Sequence, residues 1–164
     1  MLKAAIATIV LATPLAADPL ADAEAAYIEA WNAAPLSVRR IEFVNGEARY
    51  FGDPDVRASS QFAPNEPILV YVEPQAFGYL ETQAGNRFGI IYDLRVLSQD
   101  GTPLIAVDDF LDVALETGGR PKELYHNLKL SLTGLPSDSY ILELTLNDIA
   151  SDKEAVAQMP FSVK

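Results

Sequence analysis

Near the C-terminus, one pattern limits what this chain can fold into more than any other. Tyr140, Leu142, Leu144 and Leu146 fall on one face of a period-two run, while Ile141, Glu143, Thr145 and Asn147 fall on the other. That sorting belongs to an extended strand. The segment Ile149 to Lys153 interrupts the alternation with Ala, Ser and Asp, and Glu154 to Val163 resumes it with Ala155, Ala157, Met159 and Phe161 on a shared face. The stretch predicts a terminal β-hairpin. Pro160 has no N–H to give a ladder, which assigns the last strand to a sheet edge or a bulge.

Just upstream, Leu135-Pro136-Ser137-Asp138-Ser139-Tyr140-Ile141-Leu142 resembles the corner that opens the penultimate strand of immunoglobulin-like domains, where a tyrosine bonds back to earlier backbone. Leu135-Pro136 with Tyr140 following also resembles the equivalent corner of fibronectin type III domains. Leu142 stands where an antibody domain has its cysteine, the chain contains no cysteine, and its single tryptophan, Trp31, is far upstream. An antibody-type domain is therefore excluded. The resemblance implies an all-β fold, an immunoglobulin-like antiparallel β-sandwich without disulfides, of the kind found in secreted bacterial proteins.

The rest of the chain reads in the same terms. Leu20, Ala23, Tyr27, Ala30, Trp31 and Ala34 repeat at threes and fours behind Asp18-Pro19, which predicts a short N-terminal helix ending before Pro35. It fits either a docking helix for a partner or a lid on the sandwich core, and the large rings Tyr27 and Trp31 favour the lid. Asn45-Gly46 between Ile41–Val44 and Glu47–Phe51 predicts a first hairpin. The apolar run Ile68 to Glu73 belongs in a sheet covered on both faces, with Pro74 as its stop. Within Phe88 to Ser98, the set Ile90, Tyr92, Leu94 and Val96 should face inward. A turn at Asp100-Gly101 leads into Leu104 to Val107, and the ambiguous Asp108 to Thr117 reads better as strand than as helix. Leu128, Leu130 and Leu132 form the inward row of another strand.

Met1-Leu2-Lys3, the uncharged run Ala4 to Ala12 and the small residues Ala16 and Ala17 have the three parts of a secretory signal peptide. The expected organisation is a cleaved leader at 1–17, a helix over 18–36 and one β-sandwich domain over 37–164. Without cysteine there is no site for a bacterial lipid anchor, so the expected location is the Gram-negative periplasm or beyond, with no membrane anchor after cleavage. Loss of Lys3 with the leader leaves 11 basic against 23 acidic side chains, a net of −12. Such a surface repels phosphate backbones and anionic headgroups, which argues against nucleic acid and membrane surfaces as partners.

Chemistry is thin. A serine nucleophile needs a base beside it, and the one histidine, His126, follows no Gly-x-Ser-x-Gly elbow. One histidine and no cysteine cannot hold a transition metal. Calcium could use Asp53 with Asp55, Asp108 with Asp109 and Asp112, or Asp148 with Asp152, but none has EF-hand spacing and acidic turn residues are ordinarily solvated caps. No catalytic residue, metal site or cofactor is expected. The remaining candidates are Phe77, Tyr79 and Phe88, rings in an irregular glycine-containing stretch that could project and anchor a partner or a sugar, or else fill the open end of the sandwich.

The expectation is a non-enzymatic binding or assembly module that meets an envelope or secreted protein through loops and sheet edges. Its rivals are a periplasmic carrier or sensor with a small apolar or carbohydrate ligand between sheet end and helix, and an all-β hydrolase working through paired carboxylates.

Overall fold

The computed structural model describes residues 18–164, and the leader expected at 1–17 lies outside the described residues. Helix α1 spans Pro19–Ala33, and nine strands follow. These are β1 (Ser37–Phe43), β2 (Gln61–Phe62), β3 (Ile68–Gln75), β4 (Leu80–Glu81), β5 (Asn86–Ser98), β6 (Pro103–Thr117), β7 (His126–Leu130), β8 (Ser139–Asp148) and β9 (Glu154–Val163). They form an immunoglobulin-like β-sandwich. The smaller sheet has the order β1-β3-β7, and the larger runs β2-β9-β8-β5, with β4 and β6 also pairing to β5. Every ladder is antiparallel except the two-residue contact of β2 with β9.

The hairpin β8–β9 forms in one unbroken register, from Ser139 opposite Ser162 to Asn147 opposite Glu154. Tyr140, Leu142, Leu144 and Leu146 are all buried, as their shared face requires. On β9, the N–H groups of Ser162 and Lys164 point away from β8 to the carbonyls of Ser60 and Phe62. Pro160 shares their parity, so its missing N–H falls on the free edge beyond the end of β2. The corner closes upstream, where the Tyr140 hydroxyl donates to the Pro136 carbonyl at 2.8 Å.

Between the sheets, Val70 and Val72 of β3 and Leu128 and Leu130 of β7 pack over Ile90, Tyr92, Leu94 and Val96 of β5. The second face of β3 is covered as well, since Tyr71 is fully buried beneath Val44 and Ala48. Its hydroxyl donates to Glu73 Oε1 at 2.7 Å and accepts the Gly52 N–H at 2.8 Å. Burial and the neighbouring Glu73 carboxylate push the Tyr71 phenol up to about 12. The strand passes through Pro74, which pairs opposite Val38, and ends at Gln75.

Besides Pro74, which does not stop its strand, two expectations are corrected. Asn45-Gly46 does not turn a hairpin: β1 pairs with β3, and residues 47–51 form no strand. The reason is a distant clamp, because the Asn127 amide accepts from the Ala48 N–H at 3.0 Å and donates to the Ala48 carbonyl at 2.9 Å. That two-way bond holds the segment against β7 as a loop, closed at its base by the Val44–Val56 bridge. Likewise, Leu104 to Val107 and Asp108 to Thr117 are one strand rather than two, with ladder irregularities opposite Asp93 and at Leu104.

Helix α1 begins where Asp18 accepts the Leu20 N–H at 3.0 Å, with proline at the first helical position. Trp31 alone on it is buried. Its indole N–H donates to the Phe77 carbonyl at 2.8 Å, and Lys153 Nζ ties the helix's C-terminal end down through the carbonyls of Asn32 and Ala76. The lid reading thus holds for the last turn; Leu20 and Tyr27 of the same stripe stay exposed.

Candidate functional site

Phe77, Tyr79 and Phe88 meet at the helix end of the sandwich, but not as projecting rings. Phe77 is 0% and Phe88 1% exposed, stacked with centroids 5.7 Å apart, and Trp31 meets Phe77 edge-on at 5.3 Å. The reading in which these two rings anchor a partner is corrected in favour of its alternative: just past the end of β3 they fill the end of the sandwich core under Trp31. Tyr79 is half-buried, its hydroxyl donating to the Pro121 carbonyl. Lys122 Nζ lies 4.4 Å from the Trp31 ring and 4.9 Å from the Tyr79 ring, which roofs the cluster with a cation. Loss of hydration there, with Arg120 nearby, lowers the Lys122 pKa. The end where the rival carrier or sensor reading placed its ligand is thus packed with rings.

His126 is sealed in the core. Its Nδ1 lies 2.7 Å from the Tyr92 hydroxyl, its Nε2 has no partner, and burial lowers its pKa to about 4. Among the described residues its one hydrogen-bond partner is the Tyr92 hydroxyl, and no serine bonds to it. The carboxylates named for calcium are dispersed. Asp148 accepts from the Gly78 N–H at 2.7 Å, the Ala150 N–H at 3.1 Å and the Ser151 hydroxyl at 2.5 Å, which makes it the cap of the β8–β9 turn. Asp55 accepts from the Asn45 amide, and Asp108 pairs with Arg95 at 3.0 Å. Among the described residues no three His, Cys, Asp or Glu side chains come together as a metal would require.

The place where surface and chemistry do coincide is one the residue pattern did not single out. Strand β6 is 15 residues long and pairs only with β5 among the described residues, while β7, the facing strand of the smaller sheet, pairs only with β3. The sandwich is therefore open along one flank, between two unpaired edges. Register puts Ile105, Val107, Leu111, Val113 and Leu115 opposite the inward residues Val96, Leu94, Tyr92, Ile90 and Phe88. The inner row of β6 is thus wholly apolar, yet β7 is only five residues long and cannot cover it. Val107 and Leu115 keep 41% and 42% of their surface exposed.

Beneath this overhang is a cleft of about 220 Å³ lined by Leu94, Ile105, Val107, Phe110, Leu130 and Leu132. Through Ile105 and Thr133 it meets a wider groove of about 820 Å³, with Leu104, Leu135 and Tyr140 along it and Ser98, Asp100 and Thr102 at its rim. Midway along β6 the ladder skips from Val107 opposite Leu94 to Leu111 opposite Tyr92. Asp93 fixes this bulge by accepting the Asp109 N–H at 2.9 Å and the Asn147 amide at 3.0 Å, and Asp109 takes a φ of 50° there. The alternation of Leu111, Val113 and Leu115 was a visible signal of the strand, but its place at an edge is set by partners far away in sequence.

No protein-family model matches the chain, and no curated protein matches it. Solved structures align with it loosely. A Niemann-Pick type C2 protein from Japanese carpenter ant aligns with 8% identity, a TM-score of 0.47, and coverage of 80% of this chain and 94% of that one. An immunoglobulin-like protein from Pseudomonas aeruginosa aligns with 13% identity, a TM-score of 0.35, and coverage of 80% and 98%. The alkylpurine DNA glycosylase AlkC of Pseudomonas fluorescens aligns with 8% identity and a TM-score of 0.44 over 80% of this chain, which spans only 31% of that enzyme.

Proposed function

We propose that this protein is a non-enzymatic binding module of the periplasm or secreted space, which takes hold of a protein partner along its open flank. The observation that carries the reading is β6, a 15-residue edge strand whose apolar inner row is only partly covered. Long apolar edges invite another chain, and soluble proteins ordinarily cover or break them. Here the bulge at Asp109 and the carboxylates Asp108, Asp112 and Glu116 oppose indiscriminate pairing, while the inner row remains open. No helix among the described residues is long and apolar enough to cross a membrane.

A photo-crosslinking side chain tests this reading. Placed at Val113, it should join the module to a discrete partner in its native envelope; placed at Val156, on the outer face of β9, it should not. Equal labelling from both positions would contradict the reading.

The cleft favours a second reading, a small apolar ligand held under the overhang. The cleft alone, about 220 Å³, falls below the roughly 300–1,000 Å³ of ordinary ligand pockets and suits one inserted side chain, so a ligand would have to extend into the adjoining groove of about 820 Å³. Saturable uptake of the neutral dye N-phenyl-1-naphthylamine, abolished by Val107→Asp, would favour this alternative.

A further inference from the structure

We infer that the flank binds an extended peptide segment of alternating apolar and basic residues, added as a further strand beside Leu111–Thr117. This rests on the open-flank reading and names its partner's chemistry. The bulge at Asp109 divides the edge, leaving the seven residues from Leu111 to Thr117 in unbroken register with β5. Seven residues are enough for one strand of ordinary length. An added strand would find unpaired main-chain groups on β6, and every second side chain would fall beside Leu111, Val113 and Leu115.

Charge decides what the other side chains must be. The outward row of this segment is Asp112, Ala114 and Glu116, and β6 carries no basic residue. Among the described residues the ion pairs engage Arg39, Arg40, Arg57, Arg95 and Arg120, none of them with Asp112 or Glu116. Glu116 faces Arg87 across the β5 ladder and accepts from the Thr82 hydroxyl, whereas Asp112 faces Ile91 and has no basic neighbour opposite it. Opposite charges facing across a ladder stabilise it and like charges destabilise it, so lysine or arginine fits here and aspartate or glutamate does not. A second copy of this chain is the poorer occupant. It would bring another Asp108, Asp109, Asp112 and Glu116 onto the shared ribbon, between molecules already carrying a net charge of −11.

The test uses two labelled heptapeptides, Lys-Val-Lys-Val-Lys-Val-Lys and Glu-Val-Glu-Val-Glu-Val-Glu, titrated against the full chain by fluorescence anisotropy. The lysine peptide should bind about tenfold more tightly, from two favourable cross-strand charge pairs, at Asp112 and Glu116, where the glutamate peptide has two repulsive ones. Asp112→Lys with Glu116→Lys should reverse that order, and N-methylation of alternate peptide bonds should abolish binding by blocking the ladder. Equal affinities, an unreversed order in the charge-swapped protein, or full binding of the N-methylated peptide would each overturn strand addition. If strand addition fails while the Val113 crosslink persists, the open flank still stands as the binding face. If both fail, the flank reading falls with it.

Discussion

The Tyr92 hydroxyl and His126 Nδ1 lie 2.7 Å apart inside the core, joining the central strand of the larger sheet to the edge strand β7 of the smaller. Burial holds the His126 pKa at about 4, below its usual value of 6.5. Between those values the unfolded chain binds the proton and the folded chain does not, so stability is complete above pH 6.5 and declines as pH falls toward 4. This is the only histidine, so most of the loss between pH 6.5 and 5, about 2 kcal/mol, belongs to it, ahead of carboxylates such as Glu66 whose lowered pKa makes them contribute at lower pH. Urea titrations across that interval should show the slope in the native protein, and His126→Gln should flatten it.

Trp31 is the one side chain that fastens α1 to the sandwich through burial. Trp31→Phe removes the bond to the Phe77 carbonyl and should cost about 1 kcal/mol. Trp31→Ala also uncovers Phe77 and Tyr79 and should cost about 3 to 5 kcal/mol. Circular dichroism should record loss of helix in the alanine variant while strand signal persists.

Tyr140→Phe separates the two roles of the corner tyrosine. The ring still packs against Phe161, but the bond to Pro136 is lost, so the expected cost is about 1 kcal/mol. Chemical denaturation measures it, and an unchanged midpoint would deny the corner its role.

Gly89 allows β6 to approach β5. A Cβ built there would lie 1.9 Å from the Val113 carbonyl oxygen, on backbone with φ +156°. Gly89→Ala should displace β6 locally at a cost of about 1 to 3 kcal/mol, with amide exchange accelerated along Leu111–Thr117 and unchanged in the β8–β9 hairpin.

How much of this was legible in the sequence follows from the range of each cause. The β8–β9 hairpin and the Tyr140 corner depend on neighbours within a few residues, and both read correctly. Asn45-Gly46 misled because turn preference is local, whereas β1 answers to β3 and to the Asn127 clamp. That Phe77 and Phe88 fill the end of the sandwich was one of the two readings the sequence offered, but nothing near them in sequence identifies Trp31 as the ring that closes over them. The open flank was illegible for the same reason: Leu111, Val113 and Leu115 alternate as any covered strand would, and only the topology leaves β6 outside the reach of β7.

Hydrogen exchange along β6, with and without the lysine–valine heptapeptide, tests the central claim most directly. The account predicts that the peptide slows exchange of alternate amides between Leu111 and Thr117 and leaves α1 and the Tyr79 end untouched. Protection confined to α1, or no protection anywhere on β6, would contradict it.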